Sequence, residues 1–256
     1  FSSSTASPST RQSTSTSTLA PESSSVSNDR VVRAQTLLKQ LKEGKSHFAP
    51  GVRVVSVGTE ECGIQYQAPT KKYNPSTVWE DVIFVDRSEF ITPELGLETP
   101  VGQAFQYFLS QPENLRLVHP EKIPHMYLAI YLVMYKQGLL TEDQASDSAA
   151  RTTYLDTLPS KAALEHLPLF WNDSMLEELQ CSVVKPAVDS RRKEWKQEYL
   201  LMQLAIHEMG ISDPFGAFSL ETWYWARSII CSRAFTDSGN EDHPCLCPYV
   251  DMMNHR

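Results

Sequence analysis

Two apolar patterns follow one another along the chain. Between residues 52 and 85 the apolar residues are mostly β-branched and are interrupted by Gly, Pro and Asn, which is typical of short strands. From residue 100 onward they recur at the three- to four-residue spacing of helices. Strands followed by a helical block indicate an α+β fold rather than alternating βαβ units.

The predicted elements begin with a helix at 31–43, whose apolar residues share one face and which ends before Gly44. Strands are predicted next, at 52–57, 64–66 and 82–85. Further helices are predicted at 101–110, 125–137, 174–182, 187–209 and 220–234, and an apolar strand is predicted at 246–250.

Local signals support several of these boundaries. Pro186 and Ser219 stand where helices begin, Gly210 stands where a helix ends, and residues 174–177 have the spacing of a capping box. The apolar run 126–135 is shorter than the roughly 20 residues of a membrane span and predicts a buried helix.

The N-terminal segment differs in composition from the rest, because Ser and Thr fill 17 of its first 27 positions. Such a segment buries too little apolar surface to offset its loss of conformational entropy, so residues 1–29 are predicted to be disordered. An organelle transit peptide, which would place the protein in a plastid, and a plain low-complexity tail, which fits the cytosol or nucleus, both remain open. The chain starts with Phe1 rather than Met, so its natural start is expected to be missing.

The net charge and the cysteine content indicate which binding partners and which cellular compartment are expected. The 256 residues carry a net charge of −8, which argues against a basic surface for nucleic acid or anionic membrane. Five scattered cysteines do not resemble a secreted disulfide framework, so a reducing compartment is expected.

Familiar metal motifs are incomplete. His207 opens a zincin-like pattern, but Ile211 stands where the second histidine is needed. On a strand Cys245 and Cys247 would point to the same side, close to His243 in sequence, but structural zinc sites usually need a second pair of ligands. Buried core cysteines are the favoured interpretation, and a helical scaffold with a small metal site is an alternative. Phosphate-loop, dinucleotide and nucleophile-elbow motifs do not occur.

The C-terminal segment is the most informative part of the sequence. It reads W-A-R-S-I-I-C-S-R-A-F at 225–235 and P-Y-V-D-M-M-N-H at 248–255. An apolar strand ending in Asp-x-x-Asn-His places polar side chains at the edge of a core, where they meet a ligand or a satisfied network. The segment resembles the SET-domain protein methyltransferases, in the branch with a helical insert that includes the plant Rubisco large-subunit lysine methyltransferases and the actin-histidine methyltransferase.

The resemblance extends upstream and covers about 31–256. The segments 154–159, 168–171 and 176–180 resemble landmarks of the family's insert in the same order, and 59–64 resembles its opening Thr-Glu-Gly-x-Gly-Leu turn. It implies short SET-domain β-sheets interrupted by a large helical insert. The first part of the SET domain would span 30–94, the insert 95–240, and the SET domain would resume at 241–256.

The function implied by this resemblance is methyl transfer from S-adenosylmethionine to a protein substrate, most often to a lysine of a non-histone protein, by a monomer without a metal. By likeness, the opening turn would hold the cofactor through Glu60, Glu61 and Cys62. The remaining positions with implied roles are Arg233 for the methionyl carboxylate, Asn254 and His255 for the adenine, and Asp251 for the substrate channel. Arg233 as an ordinary surface arginine, and Asp251, Asn254 and His255 as a purely structural network, are the alternatives.

Two departures from the family limit what the resemblance implies. Glu61 stands where the family has a glycine, which allows close approach of the backbone to a ligand. The chain ends at Arg256, and the family's catalytic tyrosine follows later, so the C-terminal part of the fold is expected to be missing and this fragment to be inactive alone. A catalytically dead SET-like module that binds proteins through its insert is the alternative function.

Overall fold

The computed structural model describes residues 23–57, 61–67, 81–114, 116–141, 144, 148–180, 182–211, 218–237 and 240–253. Within them a first helix is followed by short strands, then by a block of helices, and a hairpin comes last. This order confirms the predicted α+β fold with short sheets and a large helical block.

The strands form three antiparallel two-stranded sheets among the described residues, pairing β1 with β4, β2 with β3, and β5 with β6. They are β1 (His47–Phe48), β2 (Val52–Val57), β3 (Glu61–Tyr66), β4 (Ile83–Phe84), β5 (Ala234–Asp237) and β6 (Asn240–Leu246). In β2 and β3 the register places Val52 opposite Tyr66. An isolated bridge joins Ile91 to Leu246, and this bridge ties the last hairpin to the start of the helical block.

Eight α-helices lie in the described part of the chain. They are α1 (Ser23–Glu43), α2 (Pro93–Leu97), α3 (Pro100–Ser110), α4 (Ile123–Lys136), α5 (Ala149–Thr157), α6 (Asp173–Glu177), α7 (Val184–Glu208) and α8 (Leu220–Arg233). In this part of the chain no helix combines the length and the apolar character needed to cross a membrane.

Helix α1 starts earlier than the sequence predicts. Its buried face is formed by Ala34, Leu37 and Leu41, as the apolar spacing indicates. The helix nevertheless begins at Ser23, inside the Ser/Thr-rich segment 1–29, because its first turns carry no apolar pattern that would mark them in sequence. Residues 1–22 of the predicted tail lie outside the described residues.

Some predicted helix signals are confirmed and one is wrong. The Ser219 hydroxyl accepts a hydrogen bond from the Thr222 backbone at 3.1 Å, which caps α8, and Gly210 follows α7 with a positive φ of 59°. The capping box at 174–177 does not form. Instead the Asn172 side chain accepts from the Met175 backbone at 2.9 Å, and α6 ends at Glu177.

The predicted apolar strand at 246–250 is also wrong. Strand β6 ends at Leu246, the chain turns at Tyr249, and Val250–Met252 forms a 3₁₀-helix. Tyr249 has a φ of 71° and is the one non-glycine residue with positive φ in the described chain. Its fully buried ring packs edge-to-face on Phe48 with centroids 5.2 Å apart, and this packing offsets the strain of the turn.

Helix α4 is the centre of the core, since all nine residues from Met126 to Met134 are buried. The sequence prediction of a buried helix is therefore confirmed. Helix α2 lies directly against α4, and Gly96 is the point of closest approach: a Cβ added there would lie 1.8 Å from the Tyr127 carbonyl oxygen.

Helix α8 packs on both α4 and α7. Its Arg227 forms a buried ion pair with Glu198 of α7, with Nε and Oε2 2.9 Å apart and both side chains 5% exposed. The Arg227 guanidinium also lies over the Trp195 ring at 5.5 Å. Burial raises the pKa of Glu198, and the guanidinium opposes this shift.

The contact between Gly96 and Tyr127 makes Gly96→Ala a test of the fold. Because the added methyl group meets a backbone carbonyl that cannot rotate away, we expect urea denaturation to show a loss of about 3 kcal/mol or more. Gly44→Ala is the matched control, since its nearest neighbour would lie at an ordinary 3.5 Å. We expect it to change the free energy of unfolding by less than about 0.5 kcal/mol. Equal urea midpoints of unfolding for the two variants would contradict the packing of α2 on α4.

Candidate functional site

Three side chains from separate parts of the chain meet beside the last hairpin. Arg233, the last residue of α8, places Nη1 2.7 Å from Oδ2 of Asp251 in the 3₁₀-helix Val250–Met252. The hydroxyl group of Tyr154, in α5, donates to the same oxygen at 3.0 Å. The sequence predicted roles for Arg233 and Asp251, and the structure brings these two together.

The carboxylate of this cluster is enclosed. The Asp251 side chain is 0% exposed, whereas the Arg233 side chain is 21% exposed and reaches the surface. Both donors use Oδ2, and the buried Oδ1 has no hydrogen-bond partner among the described residues. An enclosed acceptor without a donor is unusual in a folded core and marks this oxygen as a candidate for ligand contact.

Burial decides the ionisation of the cluster. It raises the pKa of Asp251, while the Arg233 guanidinium and the hydrogen bond from Tyr154 act in the opposite direction. Burial and the nearby Asp251 carboxylate raise the pKa of Tyr154 well above its ordinary value, so this side chain donates as a neutral phenol. The site therefore combines a cation, a carboxyl group and a neutral donor.

The position of Arg233 follows from the two ends of α8. Ser219 caps the start, and at Ala234 the backbone changes to the extended conformation of β5, so the arginine side chain leaves the helix at its last turn. Within the helix the Trp225 indole donates to the Pro159 carbonyl oxygen at 2.8 Å. This bond joins the two motifs at 225–235 and 154–159 that carry the sequence resemblance.

The position of Asp251 follows from the bridge and the turn before it. Two backbone hydrogen bonds of 3.0 and 2.9 Å join Ile91 to Leu246, and the buried Tyr249 then reverses the chain. Strand β3 packs against the 3₁₀-helix that carries Asp251. The strand that begins with the predicted cofactor residues Glu61 and Cys62 therefore lies next to the cluster.

Not all predicted site residues are described. Glu60, Asn254 and His255 lie outside the described residues, and the predicted roles of Glu61 and Cys62 remain predictions. Tyr154 is a site residue that sequence reasoning missed. It was visible there only as the first position of the Tyr-x-x-x-Leu-Pro landmark, and its partner Asp251 lies 97 positions away in sequence.

Cys245 and Cys247 are buried, with 2% and 6% of their surfaces exposed. Burial raises the pKa of the Cys247 thiol to about 12, with Cys245 and Asp251 adding to the shift, so this thiol is protonated at neutral pH. His243 instead lies near Glu94, with Nδ1 and Oε1 3.4 Å apart. The described residues contain no group of three or more potential metal ligands.

A cavity of about 380 Å³ opens beside the junction of α8 and β5. Ala234, Phe235 and Thr236, which directly follow Arg233, line it together with His125 and Cys231. Burial lowers the pKa of His125 to about 4, helped by the positive charge of Arg227, so the imidazole is neutral at pH 7. The imidazole therefore adds no positive charge to the cavity, whose lining also includes Glu121.

Comparison with solved structures finds the same fold in LSMT. The SET domain of LSMT bound to lysine and AdoHcy matches with a TM-score of 0.60 and 20% identity over 88% of this chain. Rubisco LSMT bound to AdoMet, and Rubisco LSMT bound to sinefungin and monomethyllysine, each match with a TM-score of 0.57 and 21% identity over 88% of this chain. The matches cover 44–45% of those chains, so this chain spans less than half their length.

No family model and no curated protein matches the chain. The structural likeness shows the fold: short sheets around a helical block, in the arrangement of the LSMT SET domain. The SET-type fold implied by the sequence resemblance is thereby confirmed.

The unequal burial of Arg233 and Asp251 predicts unequal effects of removing either charge. Arg233→Met leaves an enclosed carboxylate without its cation, and we expect a loss of about 3 kcal/mol at pH 7 in urea denaturation. Asp251→Asn should cost less, because the remaining guanidinium reaches water. Arg116→Met, at an exposed arginine, is the control and should change stability by less than about 0.5 kcal/mol.

The dependence of the Arg233→Met stability deficit on pH gives a second test. Without the cation the pKa of Asp251 rises further in the folded state, so the folded variant takes up a proton more readily than wild type as the pH falls. We therefore expect the deficit of Arg233→Met to be largest at neutral pH and to shrink on acidification through the raised pKa of Asp251. A deficit that stays constant or grows toward acid pH would contradict the ion pair.

Proposed function

We propose that this chain belongs to an S-adenosylmethionine-dependent protein-lysine N-methyltransferase that acts as a monomer on a non-histone protein. The observation that carries the proposal is the pair of Arg233 and Asp251, which the two C-terminal motifs supply and which β3 adjoins. The fold supports it, because the structures that share it are bound to AdoMet, AdoHcy or sinefungin, and three of the four are bound to lysine or methyllysine as well.

The described residues fit such a cofactor chemically. A methionyl group carries a carboxylate, and the partly exposed Arg233 guanidinium is a suitable donor for it. We assign the backbone at Glu60, Glu61 and Cys62 to the cofactor as well, and Asn254 and His255 to its adenine.

The cofactor would supply a methyl group on a sulfonium ion, open to in-line displacement by an amine. The protein has to hold donor and acceptor at near-attack distance and to receive the lysine deprotonated, since an ammonium has no lone pair. Enclosure favours the neutral amine by desolvation. We assign Asp251 to the lysine side, because its buried Oδ1 is an acceptor to which no described residue donates.

The tyrosine that would orient the amine is proposed to lie outside these 256 residues, in keeping with a chain that matches 44% of its structural neighbour. The chain by itself is then expected to bind weakly and to transfer no methyl groups. A catalytically dead docking module is the second candidate, favoured by Glu61 in place of the family's glycine.

Calorimetric titration of AdoHcy into the full natural protein separates the two candidates. We expect saturable binding, which Arg233→Met weakens about tenfold or more because a charge-assisted hydrogen bond is lost. Arg116→Met is the matched control and should bind as wild type does. Absence of binding by the wild-type protein would refute the enzyme and favour the docking module.

Methyl transfer is then measured by incubating the full natural protein with labelled AdoMet and with protein fractions as candidate substrates. The labelled protein is then hydrolysed in acid and its amino acids are identified. Label in methyllysine supports the proposed acceptor. Label in methylhistidine would overturn the lysine assignment while retaining the methyltransferase.

A further inference from the structure

Tyr154 belongs to the helical block, yet its hydroxyl group lies in the site. We propose that Tyr154 is a positioning residue, which fixes the orientation of the Asp251 carboxylate and through it the Arg233 guanidinium. The catalytic consequence rests on the proposed function, whereas the positioning itself does not. The geometry that carries the proposal is the convergence of the phenol at 3.0 Å and the guanidinium at 2.7 Å on one oxygen, Oδ2.

A carboxylate held by a single donor is poorly oriented. The last torsion of an aspartate side chain joins an sp³ to an sp² carbon, and its energy profile is broad and nearly two-fold. Arg233 alone is a weak guide, because its long side chain is 21% exposed. The second donor comes from a different helix, α5, and it also binds Oδ2, which leaves Oδ1 without a donor among the described residues.

Tyr154 is suited to this task because it cannot move. Its side chain is 0% exposed, and its helix α5 is capped by Ser148, whose hydroxyl accepts from the Arg151 backbone at 3.2 Å. At the other end of α5, Arg33 of α1 donates to the Asp156 carbonyl oxygen at 2.9 Å. Tyr135 of α4 donates to the Asp156 carboxylate at 2.7 Å, so α1 and α4 both hold the helix that carries Tyr154.

The hydroxyl group is not needed to fill space. Phenylalanine would occupy nearly the same volume, and an enclosed hydroxyl without a partner would cost free energy. A tyrosine at this buried position is therefore explained by its hydrogen bond to Asp251. Removing that bond leaves the carboxylate with one donor and destabilises the ionised form of Asp251 relative to the protonated form.

The first experiment follows the Asp251 carboxyl carbon by NMR titration in the chain, with Tyr154→Phe compared with wild type. Within the described part of the chain, the charged or titratable groups that interact with Asp251 are Arg233, Tyr154, Cys247 and Arg30. We expect the titration midpoint of Asp251 to move to higher pH in Tyr154→Phe, since a hydrogen bond to the charged form is lost. An unchanged midpoint would overturn the proposal.

Tyr135→Phe is the matched control. It also deletes a tyrosine hydroxyl that donates to a carboxylate on α5, but that carboxylate is Asp156 and not Asp251. Because Arg33 still holds this end of α5, we expect Tyr135→Phe to move the Asp251 midpoint much less than Tyr154→Phe does. A midpoint shift as large as that of Tyr154→Phe would show a general loosening of α5 and would overturn a specific role for Tyr154.

A stability cycle gives a second readout. If Tyr154 acts through Asp251, the destabilisation by Tyr154→Phe should disappear or turn into stabilisation in an Asp251→Leu background, where the buried hydroxyl has lost its acceptor. Full additivity of the two substitutions would contradict the coupling.

In the full natural protein we expect Tyr154→Phe to lower kcat about tenfold and to raise the KM for AdoMet by a smaller factor, because the Arg233 guanidinium is less well oriented, and to move the acid limb of the pH profile upward. A rise in KM at constant kcat would contradict positioning. Absence of methyl transfer by wild type would refute the proposed function, and the titration and the cycle would still decide the role of Tyr154.

Discussion

A fully enclosed carboxylate has to be supplied with donors from the protein, and at Asp251 they come from two distant parts of the chain. Arg233 arrives from the end of α8, and Tyr154 arrives from α5. The cluster of three side chains forms only if both helices and the turn at Tyr249 are in place. The geometry of the site therefore depends on the packing of the helical block as well as on the short strands.

Helix α8 links the helical block to the last hairpin. Its Arg227 points into the helical block and pairs with Glu198, while its Arg233 pairs with Asp251 beside the hairpin. Each arginine has a buried carboxylate as its partner, so neither can be displaced without leaving a charge uncompensated. The helix is thus fixed in both position and rotation, which fixes the point at which β5 begins.

The sequence was a good guide where local physics decides the structure. The buried face of α1 follows from its apolar spacing, and the cap at Ser219 follows from the chemistry of a hydroxyl at a helix start. The site was predicted only in part. Arg233 and Asp251 were found through motif likeness, but the bond from Tyr154 joins residues 97 positions apart, and no local pattern encodes such a contact. The strand predicted at 246–250 failed because the burial of the Tyr249 ring outweighs its preference for extended backbone.

The contact between Tyr249 and Phe48 has a consequence for the order of assembly. The ring that holds the turn before Asp251 rests on a residue of β1, so nearly the whole described chain lies between the two partners. Closing so long a loop is entropically costly and is rewarded only after the intervening helices have collapsed. During synthesis the helical block is complete before Tyr249 is added to the chain. Strand β1, which precedes the helical block, therefore makes its contact with Tyr249 late. The cluster at Asp251 is then among the last parts of the described fold to form, and an intact cluster requires that the described elements before it have already folded.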